Sequence, residues 1–105
     1  MNLEQDIAVL ALSALGHDAR LRIYKLLLRS GESGLSVGEI ASRLDIPAST
    51  LAHHLSTLVH SGLVIQTRQS RTIINRIDFK RMRALVAFLS KECCADAEGE
   101  TANAA

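Results

Sequence analysis

The sequence predicts a mainly α-helical domain that carries a single β-hairpin. Three observations predict it. Apolar residues make up 48 % of the chain while aromatic residues make up 3 % and tryptophan is absent. The core is therefore built from Leu, Ile, Val and Ala, which favours packed helices over an all-β sandwich. Most of these residues recur at helical spacing, and only one stretch, 63–77, is instead rich in β-branched residues. Finally, 105 residues are one domain with one modest core.

The elements follow in order. Residues 3–14 place Leu3, Ile7, Leu10, Ala11 and Ala14 on one helical stripe. In LGHDARLRIYKLLLRSGESG, His17 or Asp18 can cap a second helix that ends near Gly31. Its residues Ile23, Leu26 and Leu27 form one apolar face and Leu21, Tyr24 and Leu28 another, which predicts a central helix packed from both sides.

GLSVGEIASRLDIPASTLAHHLSTLVHSGLV is the most informative run. Ser36 and Glu39 have the spacing of a capping box, in which the hydroxyl accepts from the N3 amide and the carboxylate reaches back to the cap amide. Val37, Ile40, Ala41 and Leu44 then stripe a short helix. Pro47 breaks it, because the ring disfavours helical backbone at Ile46 and suits the start of a new helix. That helix buries Leu51, Leu55, Leu58 and Val59 and ends at Gly62. Two short helices joined by a tight turn make a helix-turn-helix. On the second, Ser49, Thr50, Ala52, His53 and Ser56 face away from the leucine stripe, small and polar as a surface entering a major groove requires.

Leu63–Thr67 and Thr72–Ile77 read as two strands around the polar tip RQSR, whose turn type the residues leave open. Asp78 caps a last helix striped by Met82, Leu85, Val86 and Leu89, which runs into Cys93 and Cys94. The order helix, helix, helix-turn-helix, hairpin, helix describes a winged helix-turn-helix over residues 1–95. The small, acidic residues 96–105 are expected to be a disordered tail.

A net charge of +1 conceals an asymmetry: residues 1–16 carry −2, residues 17–83 carry +6 and residues 84–105 carry −3. Six bases and one acid fall in 66–83. Such a segment suits contact with a polyanion, although a solvated charged face would read the same way. No apolar run approaches the roughly 18 residues of a membrane span, and the N-terminal stretch has acids but no Lys or Arg, so a cytoplasmic protein without membrane contact is expected. Two cysteines are too few for a disulfide framework. No Ser-His-Asp ordering, phosphate-cradling glycine loop or paired carboxylates in a plausible cleft suggest an enzyme.

ALGHDARLRIYKLLL, the helix-turn-helix run and the basic hairpin together resemble the ArsR/SmtB repressors, over roughly residues 8–94. The resemblance implies a homodimer joined through its first and last helices, bound to an inverted-repeat operator of double-stranded DNA and released by an inducer. The two apolar-striped end helices independently favour a two-fold pairing, which would also double the recognition helices. Ser49, Thr50, His53 and His54 match the family's recognition helix, with Ser49, Thr50 and His53 as DNA contacts and His54 better read as packing. Ala52 stands where the family usually has serine and Ser56 where lysine is common. The wing arginines Arg68 and Arg71 therefore carry more of the expected contact, to phosphate or the minor groove.

The family's cysteine pair in the first helix of the motif has no counterpart in GLSVGEI, and the last helix offers Asp78 but no histidine. Cys93 and Cys94 remain, in a context similar to arsenic repressors with a vicinal pair at the end of the last helix; the third cysteine often found there is missing. Trivalent arsenic is thiophilic and prefers three sulfurs in a pyramid. Adjacent helical residues point about 100° apart, so the pair is expected to share an ion only if the last turn unwinds or twists. Three readings stay open: trivalent arsenic or antimony as inducer with no other cofactor, a redox or reactive-sulfur signal, or no sensing role.

Overall fold

A computed structural model describes residues 3–97. Five α-helices and a three-stranded antiparallel sheet follow one another as α1 (Gln5–Leu15), α2 (Asp18–Ser30), a 3-10 turn (Gly31–Ser33), β1 (Leu35–Ser36), α3 (Val37–Leu44), α4 (Ala48–His60), β2 (Val64–Gln69), β3 (Thr72–Ile77) and α5 (Phe79–Ser90). This is the winged helix-turn-helix that the residues predict.

Local chemistry sets the helix ends. The His17 side chain accepts from the Ala19 amide to start α2. Both bonds of the Ser36–Glu39 capping box are present at the start of α3, at 2.9 and 3.2 Å. They hold the Glu39 carboxyl below its ordinary pKa, through the amide and hydroxyl of Ser36 and then the charge of Arg43. α3 ends on Asp45 in the left-handed conformation, and Asp78 caps α5 by accepting from the Arg81 amide.

Leucines and isoleucines from every helix meet in one core, with Ile23, Leu27, Ile40, Leu51, Leu55, Leu58 and Leu63 almost without solvent contact. The sheet order is β1-β3-β2, with Leu35 opposite Asn75 and Val64 opposite Ile77. The two-residue β1 is absent from the sequence expectation, because a strand that short has no periodicity to read. Gly34 makes it possible: at φ +66, a β-carbon there would overlap the Asn75 carbonyl oxygen.

Three expectations need correction. The hairpin strands run to Val64–Gln69 and Thr72–Ile77, since Leu63 belongs to the turn after α4. α2 is not packed from both sides along its length, because Leu21 is 44 % exposed although Tyr24 and Ile23 are buried. On α1 the inward face is Ala8, Ala11 and Ala14, while Leu10 turns outward with Val9 and Leu12. Small alanines let α1 approach the core closely, which leaves Val9, Leu10 and Leu12 outside. The tail expected over 96–105 lies mostly outside the described residues, and Asp96 and Ala97 are exposed.

Candidate nucleic-acid interface and thiol site

Pro47 takes an extended conformation and α4 begins immediately after it, with no side chain capping its first amides. The positive end of the helix dipole and the first-turn N–H groups are thus open, an arrangement that suits a phosphate. Ser49, Thr50, Ala52, His53 and Ser56 are all exposed, and Leu51, His54, Leu55 and Leu58 are buried on the opposite face. The expected contacts Ser49, Thr50 and His53 therefore share one accessible surface. His54 is 8 % exposed and packs, as its position beside the leucine stripe predicts. Burial first, and then repulsion from His17, Arg20 and His53, lowers its pKa.

The wing lies beside this helix, joined to it through β2. Its tip is the two-residue loop Ser70–Arg71, in which Ser70 takes φ 58. Ser70 has a positive φ and Arg71 does not, the pattern of a type II′ rather than a type I′ turn, which settles the conformation that the residues alone left open. Arg68 pairs across the hairpin with Ile73, and both Arg68 and Arg71 are exposed. Among the described residues the one ion pair is Arg76 with Glu32 at 3.9 Å, so the wing arginines keep their charge free for a polyanion.

Asn75 anchors the wing's base. Its Nδ2 donates to the Leu35 carbonyl at 3.2 Å and its Oδ1 accepts from Gln66 Nε2 at 2.8 Å. A buried amide with a partner at each end, linking all three strands, holds the hairpin in one orientation. Sequence reasoning missed it, since an asparagine inside a β-branched run signals nothing until its partners are adjacent.

At the other end of the chain α5 stops at Ser90, and residues 91–96 form consecutive turns, with the Cys93 amide bonded to the Ser90 carbonyl and the Ala95 amide to that of Glu92. Cys93 and Cys94 are exposed and their sulfurs lie 3.7 Å apart. Cys94 has φ 59, outside the helical range. The sequence predicts the pair in a helical turn that must unwind or twist to bring the thiols together; the cysteines instead stand beyond the end of α5, and Cys94 takes the left-handed conformation there. Two thiolates about 2.3 Å from a tetrahedral ion would lie about 3.8 Å apart, so the pair has the span of a chelate. No cluster of three metal-ligating side chains occurs among the described residues. No described helix is long and apolar enough to cross a membrane.

The family model for a helix-turn-helix domain matches residues 15–67, from the entry to α2 through the recognition helix into the wing. The transcriptional activator HlyU of Vibrio cholerae is 33 % identical over 87 residues, covering 83 % of this chain and 78 % of HlyU. Its solved structure superposes with a TM-score of 0.68 at 32 % identity, over 88 % of this chain and 99 % of that one, and a second structure is of its reduced form. A Halobacterium salinarum protein, provisionally named the arsenical resistance operon repressor ArsR, is 38 % identical over 69 residues, 66 % of this chain and 51 % of that protein. A homodimeric winged helix-turn-helix DNA-binding domain from Mycobacterium bovis superposes with a TM-score of 0.66 at 26 % identity, over 91 % of this chain and 89 % of the domain. The curated relatives are transcriptional regulators rather than enzymes.

Proposed function

Because the chain belongs to the ArsR/SmtB family of winged helix-turn-helix transcriptional regulators, we propose that it acts as a homodimeric repressor released from an inverted-repeat operator when Cys93 and Cys94 capture trivalent arsenic or antimony. In this reading Ser49, Thr50 and His53 on α4 reach base edges or adjacent phosphates, and Arg68 and Arg71 on the wing neutralise flanking phosphates.

The dimer rests on surface chemistry. Val9 and Leu12 on α1 and Val86 and Leu89 on α5 are 40 to 59 % exposed, and α1 and α5 touch within the protomer. Two helices that present large apolar residues side by side suit a two-fold, self-complementary interface. The homodimeric Mycobacterium bovis domain supports the same assembly.

The observation that carries the sensing half is the pair of exposed sulfurs 3.7 Å apart at the foot of α5. Binding there would exchange two hydroxides on the ion for the two sulfurs, the thiol protons leaving with those hydroxides as two waters, and would lock the 91–96 turns against the helix that bears Val86 and Leu89. Arsenite or antimonite would complete its coordination with water, a small thiol or the partner subunit; a monosubstituted organoarsenical needs only two sulfurs. The Halobacterium salinarum relative's name favours arsenic. A redox signal is the second reading, favoured by the same exposed thiols and by a relative whose reduced form is distinguished, but opposed by the strain of a disulfide between neighbours.

The test is operator binding by fluorescence anisotropy with arsenite, methylarsenite or peroxide added. An arsenical that weakens binding about 100-fold acts through about 2.7 kcal/mol of coupling. Cys93→Ser should keep basal binding and lose the response. An unchanged response in that variant removes the cysteines from the mechanism, and a response to peroxide alone selects the redox reading.

A further inference from the structure

The junction of α1, α2 and α4 holds basic chemistry that neither DNA contact nor the cysteine pair uses. Arg20, in the first turn of α2, is half-buried. Its Nε donates to the Ala14 carbonyl at the end of α1 at 2.6 Å, and its Nη1 lies 3.5 Å from Nδ1 of His54 on α4. The ring of His17 sits against His54 with centroids 4.8 Å apart. These neighbours are neutral or basic, and among the described residues no carboxylate lies within ion-pair distance of Arg20. A guanidinium with five N–H donors has several left after these contacts. Its partly desolvated charge acts through a lower effective dielectric than bulk water.

Beside Arg20 opens a cleft of about 250 Å³. Leu10 and Ala14 form its apolar wall, and Ser13, Thr57 and His60 line it with polar groups. The Thr57 hydroxyl is directed to the His53 carbonyl at 3.3 Å, while Ser13 and His60 are exposed and without a side-chain partner among the described residues. The volume lies just below the usual range of small-molecule sites, about 300–1,000 Å³, and so suits a compact ligand. One positive group, two free polar groups and a short apolar wall are the complement of a carboxylate on a small hydrocarbon body.

We propose that this cleft binds a small organic carboxylate, its head group paired with Arg20 and hydrogen-bonded by Ser13 and His60, and its apolar body laid on Leu10 and Ala14. The site touches α1, α2 and the C-terminal half of α4, so an occupant ties the recognition helix to the helix whose outer face is proposed to meet the second subunit. Occupation is then a second input to DNA affinity, separate from the thiols. This regulatory consequence rests on the DNA-binding reading above, whereas the binding itself does not.

The experiment titrates butyrate and benzoate, with neutral benzamide in parallel, into the isotopically labelled full chain and follows backbone amide shifts. Saturable shifts centred on Ser13, Arg20, Thr57 and His60 are expected for the acids, with benzamide at least about tenfold weaker. Arg20→Gln should weaken the acids by a similar factor. Since that change also removes the bond to Ala14, Ser13→Leu provides a second variant that fills the cleft from an exposed position. The Cys93→Ser/Cys94→Ser double variant should bind the acids as the parent does, which separates this site from the sensing hypothesis. Failure of both acids to saturate, equal binding of benzamide, or undiminished binding by Ser13→Leu overturns the proposal. Binding that leaves operator affinity unchanged overturns the regulatory consequence.

Discussion

α4 and α5 are nearly equal in length, thirteen and twelve residues, yet their surfaces are satisfied in opposite ways. α4 buries Leu51, His54, Leu55 and Leu58 in its own protomer and turns only small and polar residues outward. α5 buries Ala84 and Leu85 and leaves Val86 and Leu89 in solvent at 57 and 59 % exposure. The recognition helix is thus positioned by its own core, while α5 leaves large apolar residues for a surface outside the protomer to cover, as the proposed dimer would. In the proposed mechanism, such a division would let thiol binding at the end of α5 alter assembly without unfolding the DNA-reading surface.

The sharpest way to break the contrast is to remove the support of α4. Leu58 has no solvent exposure, so Leu58→Ala should cost about 2–5 kcal/mol in denaturant unfolding. Removing the support of α3, on which α4 stands, is milder: Ser36→Ala deletes half the capping box and should cost about 1 kcal/mol by the same measurement. On α5, Leu89→Lys should change protomer stability by no more than about 0.5 kcal/mol, yet shift sedimentation from dimer to protomer. If Leu89→Lys remains fully dimeric, α5 does not form the interface.

The last effect belongs to α4 and is confined to acid. His54 has an ordinary pKa of 6.5 that folding lowers. The unfolded chain therefore binds its proton at a higher pH than the folded one. The stability contribution is present above pH 6.5 and is lost as pH falls through the lowered value. Thermal unfolding followed from neutral to acid pH should show this decline, and His54→Gln should flatten it.

The parts legible in the sequence are those whose causes are local. The Ser36–Glu39 box, the His17 and Asp78 caps and the break at Pro47 all involve residues within a few positions of each other, and each occurs as expected. The exposure of Ser49, Thr50 and His53 was equally readable, because helical spacing alone places them opposite Leu51 and Leu55. What escaped are contacts between distant positions. Asn75 reaches Leu35 across 40 residues and Arg20 reaches His54 across 34, and no spacing rule connects them. The outward turn of Leu10 escaped for a related reason, since periodicity shows that a helix has an apolar face but not which of two such faces the core takes.

The sequence by itself determined the order of the helices and hairpin, the exposed face of α4 and the family, because capping, helical periodicity and turn chemistry act over a few residues. Only the tertiary structure decided the third strand, the cleft beside Arg20 and the approach of the two sulfurs. Those depend on where separate segments come to rest, and in the case of Cys93 and Cys94 on a single positive φ beyond the end of a helix.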